Sequence, residues 1–173
     1  TLALTKPLGF GVTTTALKQE QAEPQDVQEA VAWMKRLNRS ASELAVEFGL
    51  RGGTDITGYS FLGHGLEMAE ASGVSLQIDY AKIPFVSGAR KYAGRGIFPG
   101  GAFDNLGHYG ARVRFADTLD EPARMLLFDP QTSGGLLLGI PAEKLAAFEA
   151  RAREVGQPIW VVGTVHDGSG IEV

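Results

Sequence analysis

Hydrophobic and polar positions along the chain switch between helical and strand periods. From Asp26 to Leu37, Val27, Val31, Met34 and Leu37 recur on one helix face. Ser40 followed by Glu43 has the spacing of a capping box and predicts a second helix that turns Leu44, Ala45 and Phe48 inward. Gly49, Gly52 and Gly53 would end it, and a third helix is expected over Phe61–Ala71, stopped near Gly73. Val74 to Tyr80 alternates, with Val74, Leu76 and Ile78 on one side, which predicts a half-buried strand.

Further strands are expected at Leu2–Thr5, Arg112–Phe115, Gly135–Ile140, Ile159–Val165 and Ile171–Val173. Helices are expected at Glu121–Phe128 and after Pro141, the latter with Leu145, Phe148, Ala152 and Val155 on its inner face. Thr13, Thr14 and Thr15 read as a linker, so residues 1–15 form an interdomain strand and linker. Pro84–Gly107 reads as a long irregular loop around Pro99-Gly100-Gly101. Leu136–Val165 has the pattern of a βαβ unit. The expected class is α/β in the α+β layered sense: one domain, a mixed sheet covered by helices.

Composition narrows the chemistry. The 173 residues are 44% hydrophobic and 21% charged, enough for one domain with a real core. A net charge of −4 and no basic run argue against a nucleic-acid partner. No apolar run is long enough to span a bilayer, so no membrane partner is expected. The absence of cysteine removes disulfides, thiolate catalysis and cysteine zinc sites from this chain and suits the expected cytoplasmic location. The start at Thr1, without methionine, reads either as part of a larger protein or as a processed or tag-cleaved N-terminus.

Two runs carry candidate chemistry. The first is Thr54-Asp55-Ile56-Thr57-Gly58-Tyr59-Ser60. Asp55 is either a Mg²⁺ ligand facing a phosphate or a helix cap or Asx-turn residue. Thr57 and Gly58 would be the phosphate neighbourhood. The second is Asp129-Pro130-Gln131-Thr132-Ser133-Gly134-Gly135. It is either an amide nest for phosphate or a hydrogen-bonded turn, but the apolar strand after it excludes a P-loop. His64, His108 and His166 lack metal spacing and read as structural. Arg90, Lys91 and Arg95 read as a solvated basic face or a phosphate contact, and Trp33 and Trp160 as core. No catalytic residue can be named from spacing.

These runs resemble a known family. Leu4-Thr5-Lys6-Pro7-Leu8-Gly9, Thr54-Asp55-Ile56-Thr57-Gly58, Leu62-Gly63-His64, Pro99-Gly100-Gly101 and Asp129 to Leu137 are similar, in order, to selenophosphate synthetase (selenide, water dikinase). The likeness runs end to end and covers that family's C-terminal half. It implies a domain of the aminoimidazole-ribonucleotide-synthetase-like type. It also implies an enzyme that makes selenophosphate from selenide, ATP and water, releasing AMP and phosphate. The implied partners are an N-terminal ATP-binding domain outside these 173 residues and, in the full-length enzyme, a second subunit. The implied cofactor is Mg²⁺, with Asp55 as one ligand. The isolated domain would be inactive.

The chain departs from the family pattern at Tyr59-Ser60, where Phe-Gly is usual, and at Phe10, where a small residue is usual. Rival readings are the C-terminal half of another ATP-dependent synthetase or kinase of the superfamily, or a non-catalytic interaction module. The Leu-Thr-Lys-Pro-Leu-Gly start argues against the first.

Overall fold

A computed structural model describes residues 1–173. The element order is β1 (Leu2–Leu4), α1 (Phe10–Lys18), α2 (Pro24–Lys35), α3 (Arg39–Glu47), β2 (Gly52–Asp55), α4 (Ser60–Ser72) and β3 (Val74–Ile78). Then follow α5 (Ala89–Ala93), α6 (Gly100–Tyr109), β4 (Val113–Arg114), α7 (Glu121–Leu127), β5 (Leu136–Gly139), α8 (Ala142–Glu154), β6 (Trp160–Asp167) and β7 (Ile171–Glu172). The strands form one mixed seven-stranded sheet in the order β2-β5-β1-β6-β3-β7-β4. No helix is long and apolar enough to cross a membrane.

β1 is short but buried on both faces. Leu2 and Leu4 join the larger core with Phe61, Leu62 and Leu66 of α4, while Ala3 joins Leu44 of α3 and Phe148 and Ala152 of α8. Leu137 and Leu138 of β5 divide the same way. Helices therefore cover this part of the sheet on both sides, and continuous apolar runs replace alternation in β1 and β5. In the one-sided strand β3, Leu76 and Ile78 are buried and Gln77 is exposed.

Several expectations are corrected. Thr13–Thr15 lie inside α1, not in a linker. The hydroxyls of Thr13 and Thr14 satisfy themselves on the Gly9 and Phe10 carbonyls one turn back, so β-branched polar residues are accommodated there. Pro84–Gly107 contains α5 and most of α6, because its glycines start the second helix rather than interrupt it. α2 does not bury the face that periodicity indicated: Leu37 is 76% exposed, while Ala30 and Asp26 are buried. A tertiary network decides that face, since Asp26 accepts from Tyr92 Oη (2.6 Å) and Lys91 Nζ (2.7 Å) of α5. Val155, expected on the inner face of α8, is 39% exposed.

Ser40 does not cap α3; Asn38 precedes that helix, and Glu43 instead pairs with Arg39. Gly49 ends α3 with φ 59°, but Gly52 and Gly53 belong to β2, paired with Gly139 and Leu138. β5-α8-β6 is a split unit. β5 and β6 are each antiparallel to β1, which lies between them, so they run parallel without being neighbours.

Candidate functional site

Asp55 ends the edge strand β2, opposite Leu136 of β5. It sits five residues before α4 and caps nothing: Tyr59 occupies the cap position, without a side-chain cap bond. The Asp55 carboxylate is exposed and enters no hydrogen bond or ion pair with the rest of the chain. The cap and Asx-turn readings therefore fail on geometry, and the carboxylate is free to bind.

The turn after Asp55 is rigidly held. Ile56 is fully buried, and its amide donates to Gly135 O at 2.8 Å. The Thr57 carbonyl accepts from Gln131 N (3.0 Å) and from Ser60 N (3.1 Å). Asn105 of α6 donates from Nδ2 to Gly58 O (3.0 Å) and to Phe128 O (3.1 Å). Ser60 adopts φ 70°, a left-handed backbone that costs a side chain about 1–2 kcal/mol. Its hydroxyl accepts from the Gly63 amide at 3.3 Å and offsets part of that cost. The departure at Tyr59-Ser60 thus leaves the turn's backbone in the conformation glycine favours.

Thr57 Oγ1 lies 2.9 Å from His64 Nε2, and His64 Nδ1 lies 3.3 Å from Glu67 Oε2. His64 thus bridges the Thr57 hydroxyl and the Glu67 carboxylate through its two ring nitrogens. His64 is the satisfied structural histidine that the sequence suggested. His166 contacts Thr164 Oγ1 (2.8 Å) and His108 packs edge-on against Tyr109, both remote in role from Asp55.

The Asp129–Gly135 run meets this turn directly. A Cβ on Gly134 would lie 2.0 Å from Ile56 O, and one on Gly135 would lie 2.6 Å from Lys6 N. Only glycine permits that approach. The side chains of the run look inward, to the start of α1, which has no cap of its own. Gln131 Oε1 accepts from the Gly9 and Phe10 amides (3.0 and 3.2 Å), and Asp129 Oδ2 accepts from Gly11 N (3.0 Å). Gln131 Nε2 in turn donates to Asp129 Oδ2 (2.9 Å). Burial pushes the Asp129 carboxyl up to about 7, against the pull of the Val12 and Gly11 amides and of Gln131. Asp129 is fully buried, and its Oδ1 has no hydrogen-bond partner. Two side chains of the run, Gln131 and Asp129, thus cap a helix about 120 residues away.

The basic cluster divides. Lys91 pairs with Glu23 and Asp26, and Arg90 packs over Tyr80 and Phe85. Trp33 and Trp160 meet edge to face at 5.8 Å, both partly buried rather than central. Asn105 and Gln131, which hold the turn, carried no individual signal in the sequence. Nor did Lys6, which is buried.

No group of three or more His, Cys, Asp or Glu side chains converges in the chain. Asp55 is one donor of the hard oxygen type, so the chain fits Mg²⁺ as a contributor to a shared site and not as its whole cage.

Comparison with known proteins agrees with this architecture. The chain is 44% identical over 162 residues to a selenide, water dikinase of Bordetella bronchiseptica, covering 94% of this chain and 46% of the relative. It is 46% identical over 143 residues to a protein of the same name from Caldanaerobacter subterraneus subsp. tengcongensis, covering 83% and 41%. The chain spans about half the length of the curated relatives it matches. Among solved structures, thiamine-monophosphate kinase from Stenotrophomonas maltophilia K279a superposes with a TM-score of 0.68 at 15% identity, over 99% of this chain and 49% of that one, a likeness of fold alone. Residues 1–173 match, from end to end, the family described as AIR synthase related protein, C-terminal domain, and the chain belongs to that family.

Proposed function

We propose that this chain is the C-terminal domain of a selenide, water dikinase and that Asp55 is its contribution to a Mg²⁺ site at the interface with an N-terminal ATP-binding domain. The observation that carries this reading is the free, exposed carboxylate of Asp55 on a turn held rigid from both sides. A side chain with no structural duty, on a backbone fixed to this degree, suits a preorganised ligand. Identity near 44% to a selenide, water dikinase over almost the whole chain supports the substrates: selenide, ATP and water.

In this reading Asp55 would hold the metal, with the Thr57 oxygen and the Gly58 backbone beside it. The bound metal would neutralise charge on the phosphates of ATP. The chain's own task is to position the carboxylate: β2 registers Asp55 against Leu136, and Asn105 and Gln131 fix the turn beyond it. The remaining ligands and the reacting groups would come from the N-terminal domain. The full-length enzyme would act as a cytoplasmic dimer, and the 173-residue domain alone would not consume ATP.

The test is Asp55→Ala in the full-length enzyme that contains this chain. Selenide-dependent AMP formation should fall by at least about 100-fold, more than loss of an outer-shell partner costs a metal site. Thermal stability should stay within about 0.5 kcal/mol of the parent. Near-normal AMP formation in the variant would reject the ligand assignment. AMP formation indifferent to selenide in the parent would reject the substrate.

A further inference from the structure

Lys6 and Arg36 form a second polar locality that this reading does not use. Lys6, just beyond β1, is 2% exposed and donates from Nζ to Ser133 O at 2.9 Å. Arg36, just beyond α2, donates from Nη2 to the Gly156 carbonyl. Two independent bridges draw these cations together. On one side Gln157, next to Gly156, donates from Nε2 to Thr5 O (3.2 Å), next to Lys6. On the other, Ser133 receives Lys6 on its carbonyl while its hydroxyl donates to Met34 O (2.9 Å), two residues before Arg36. Burial, and after it the charge of Arg36, holds the Lys6 ammonium below the usual lysine range.

Neither cation has an anionic partner. Lys6 and Arg36 enter none of the ion pairs of the chain: Glu23 and Asp26 serve Lys91, Glu43 serves Arg39, and Glu47 and Glu154 serve Arg151. Asp129, in the same run as Ser133, faces the amides of α1. A lysine this buried is almost always paired, and a neighbouring guanidinium makes an unpaired one more costly still. Thr132 is exposed, and Ser133 and Arg36 are half-buried, so the locality opens to solvent on one side.

We propose that Lys6, Arg36 and the Ser133 turn form a binding site for a doubly charged oxyanion of the phosphate class. Two uncompensated positive charges call for a dianion, because a single carboxylate neutralises only one of them. Arg36 supplies a planar fork and Lys6 a point charge, the pair of donors that phosphate recognition employs. Free phosphate and the terminal phosphate of a nucleotide share this chemistry. The site involves neither Asp55 nor the metal, so it stands or falls separately from the proposed activity.

The chain is titrated at low ionic strength, without divalent cations, with inorganic phosphate, acetate and ATP. Heat of binding and the Arg36 Nε–H resonance are followed together. Inorganic phosphate should bind saturably and shift the Arg36 signal, and Arg36→Gln should weaken binding by at least about tenfold. Lys6→Met should do the same; Arg36 is half-exposed, so Arg36→Gln keeps the test decisive where Lys6→Met fails to fold. ATP that competes with phosphate identifies a nucleotide phosphate as the occupant, and ATP that does not identifies free phosphate; both support the site. The absence of saturable binding up to about 10 mM phosphate would overturn the proposal. So would phosphate binding that Arg36→Gln leaves unchanged, or acetate binding as tight as phosphate.

Discussion

Asp55 and Asp129 sit in runs of nearly the same composition, and the runs touch, yet the two carboxylates live in opposite environments. Asp55 is exposed, at the end of an edge strand, with no partner in the chain. Asp129 is fully buried and holds the first turn of α1 together with Gln131. One is available to a ligand and structurally idle; the other is structurally committed and closed to ligands. Residue type and local pattern were alike, so the division of labour comes from which run the chain covers with α1.

The contrast can be broken most sharply by paired alanine substitutions. Asp55→Ala should abolish the proposed activity of the full-length enzyme by the factor given above while leaving melting nearly unchanged. Asp129→Ala should reverse that pattern at the level of the domain. It strips an acceptor from buried α1 amides and leaves a void, a loss of about 2–4 kcal/mol. At about pH 4, where the buried carboxyl keeps its proton, the melting temperature should fall by roughly 5–15 °C, read by circular dichroism on the 173-residue chain. A shift below about 2 °C would show that Asp129 is not the cap described.

An effect that is smaller per pH unit appears in the pH dependence of stability. The folded carboxyl of Asp129 lies at about 7, raised by burial. In the unfolded chain an aspartate titrates near ~3.9. Between those values the folded chain keeps a proton that the unfolded chain has released. The contribution of Asp129 to stability is therefore greatest below about pH 4, declines as pH rises towards 7, and levels off above it. The slope from this group cannot exceed about 1.4 kcal/mol per pH unit. Denaturant titrations of the parent and of Asp129→Asn across this window should differ in slope, the variant being flatter; equal slopes would remove Asp129 as the source.

The smallest effect belongs to the turn after Asp55. Ser60→Gly removes the left-handed strain and gives up one weak acceptor, so the domain should gain up to about 1 kcal/mol. Loss of stability in this variant would mean that the buried Ser60 hydroxyl matters more than its backbone.

Much of the fold could be read from the sequence. The alternation of Val74–Ile78, the apolar run at Leu136–Gly139 and the glycine stop of α4 at Gly73 are local signals, and the structure agrees with each. The failures share a cause. α2 buries Asp26 because Tyr92 and Lys91 wait for it on α5, and no window of periodicity contains residues 65 positions apart. α1 was hidden because its cap comes from Gln131 and Asp129, not from its own first residues. Pro84–Gly107 looks irregular because glycine is weak as a helix former in isolation, whereas Ala102, Asn105 and Tyr109 of α6 are buried against the rest of the domain.

For the site, the sequence by itself determined that Asp55 stands in a motif resembling a metal-binding one and that Thr57 and Gly58 follow it. It also excluded a P-loop at the Asp129 run, since an apolar strand and not a helix follows the two glycines. What it left open was whether the Asp55 side chain caps a helix or stands unpartnered, and what Lys6 contacts. Only the tertiary structure decided these. A carboxylate or an ammonium takes its role from burial, from the donors and acceptors within about 3 Å and from the presence or absence of an opposite charge. Those neighbours arrive from β5, α2 and α6, dozens of residues away along the chain.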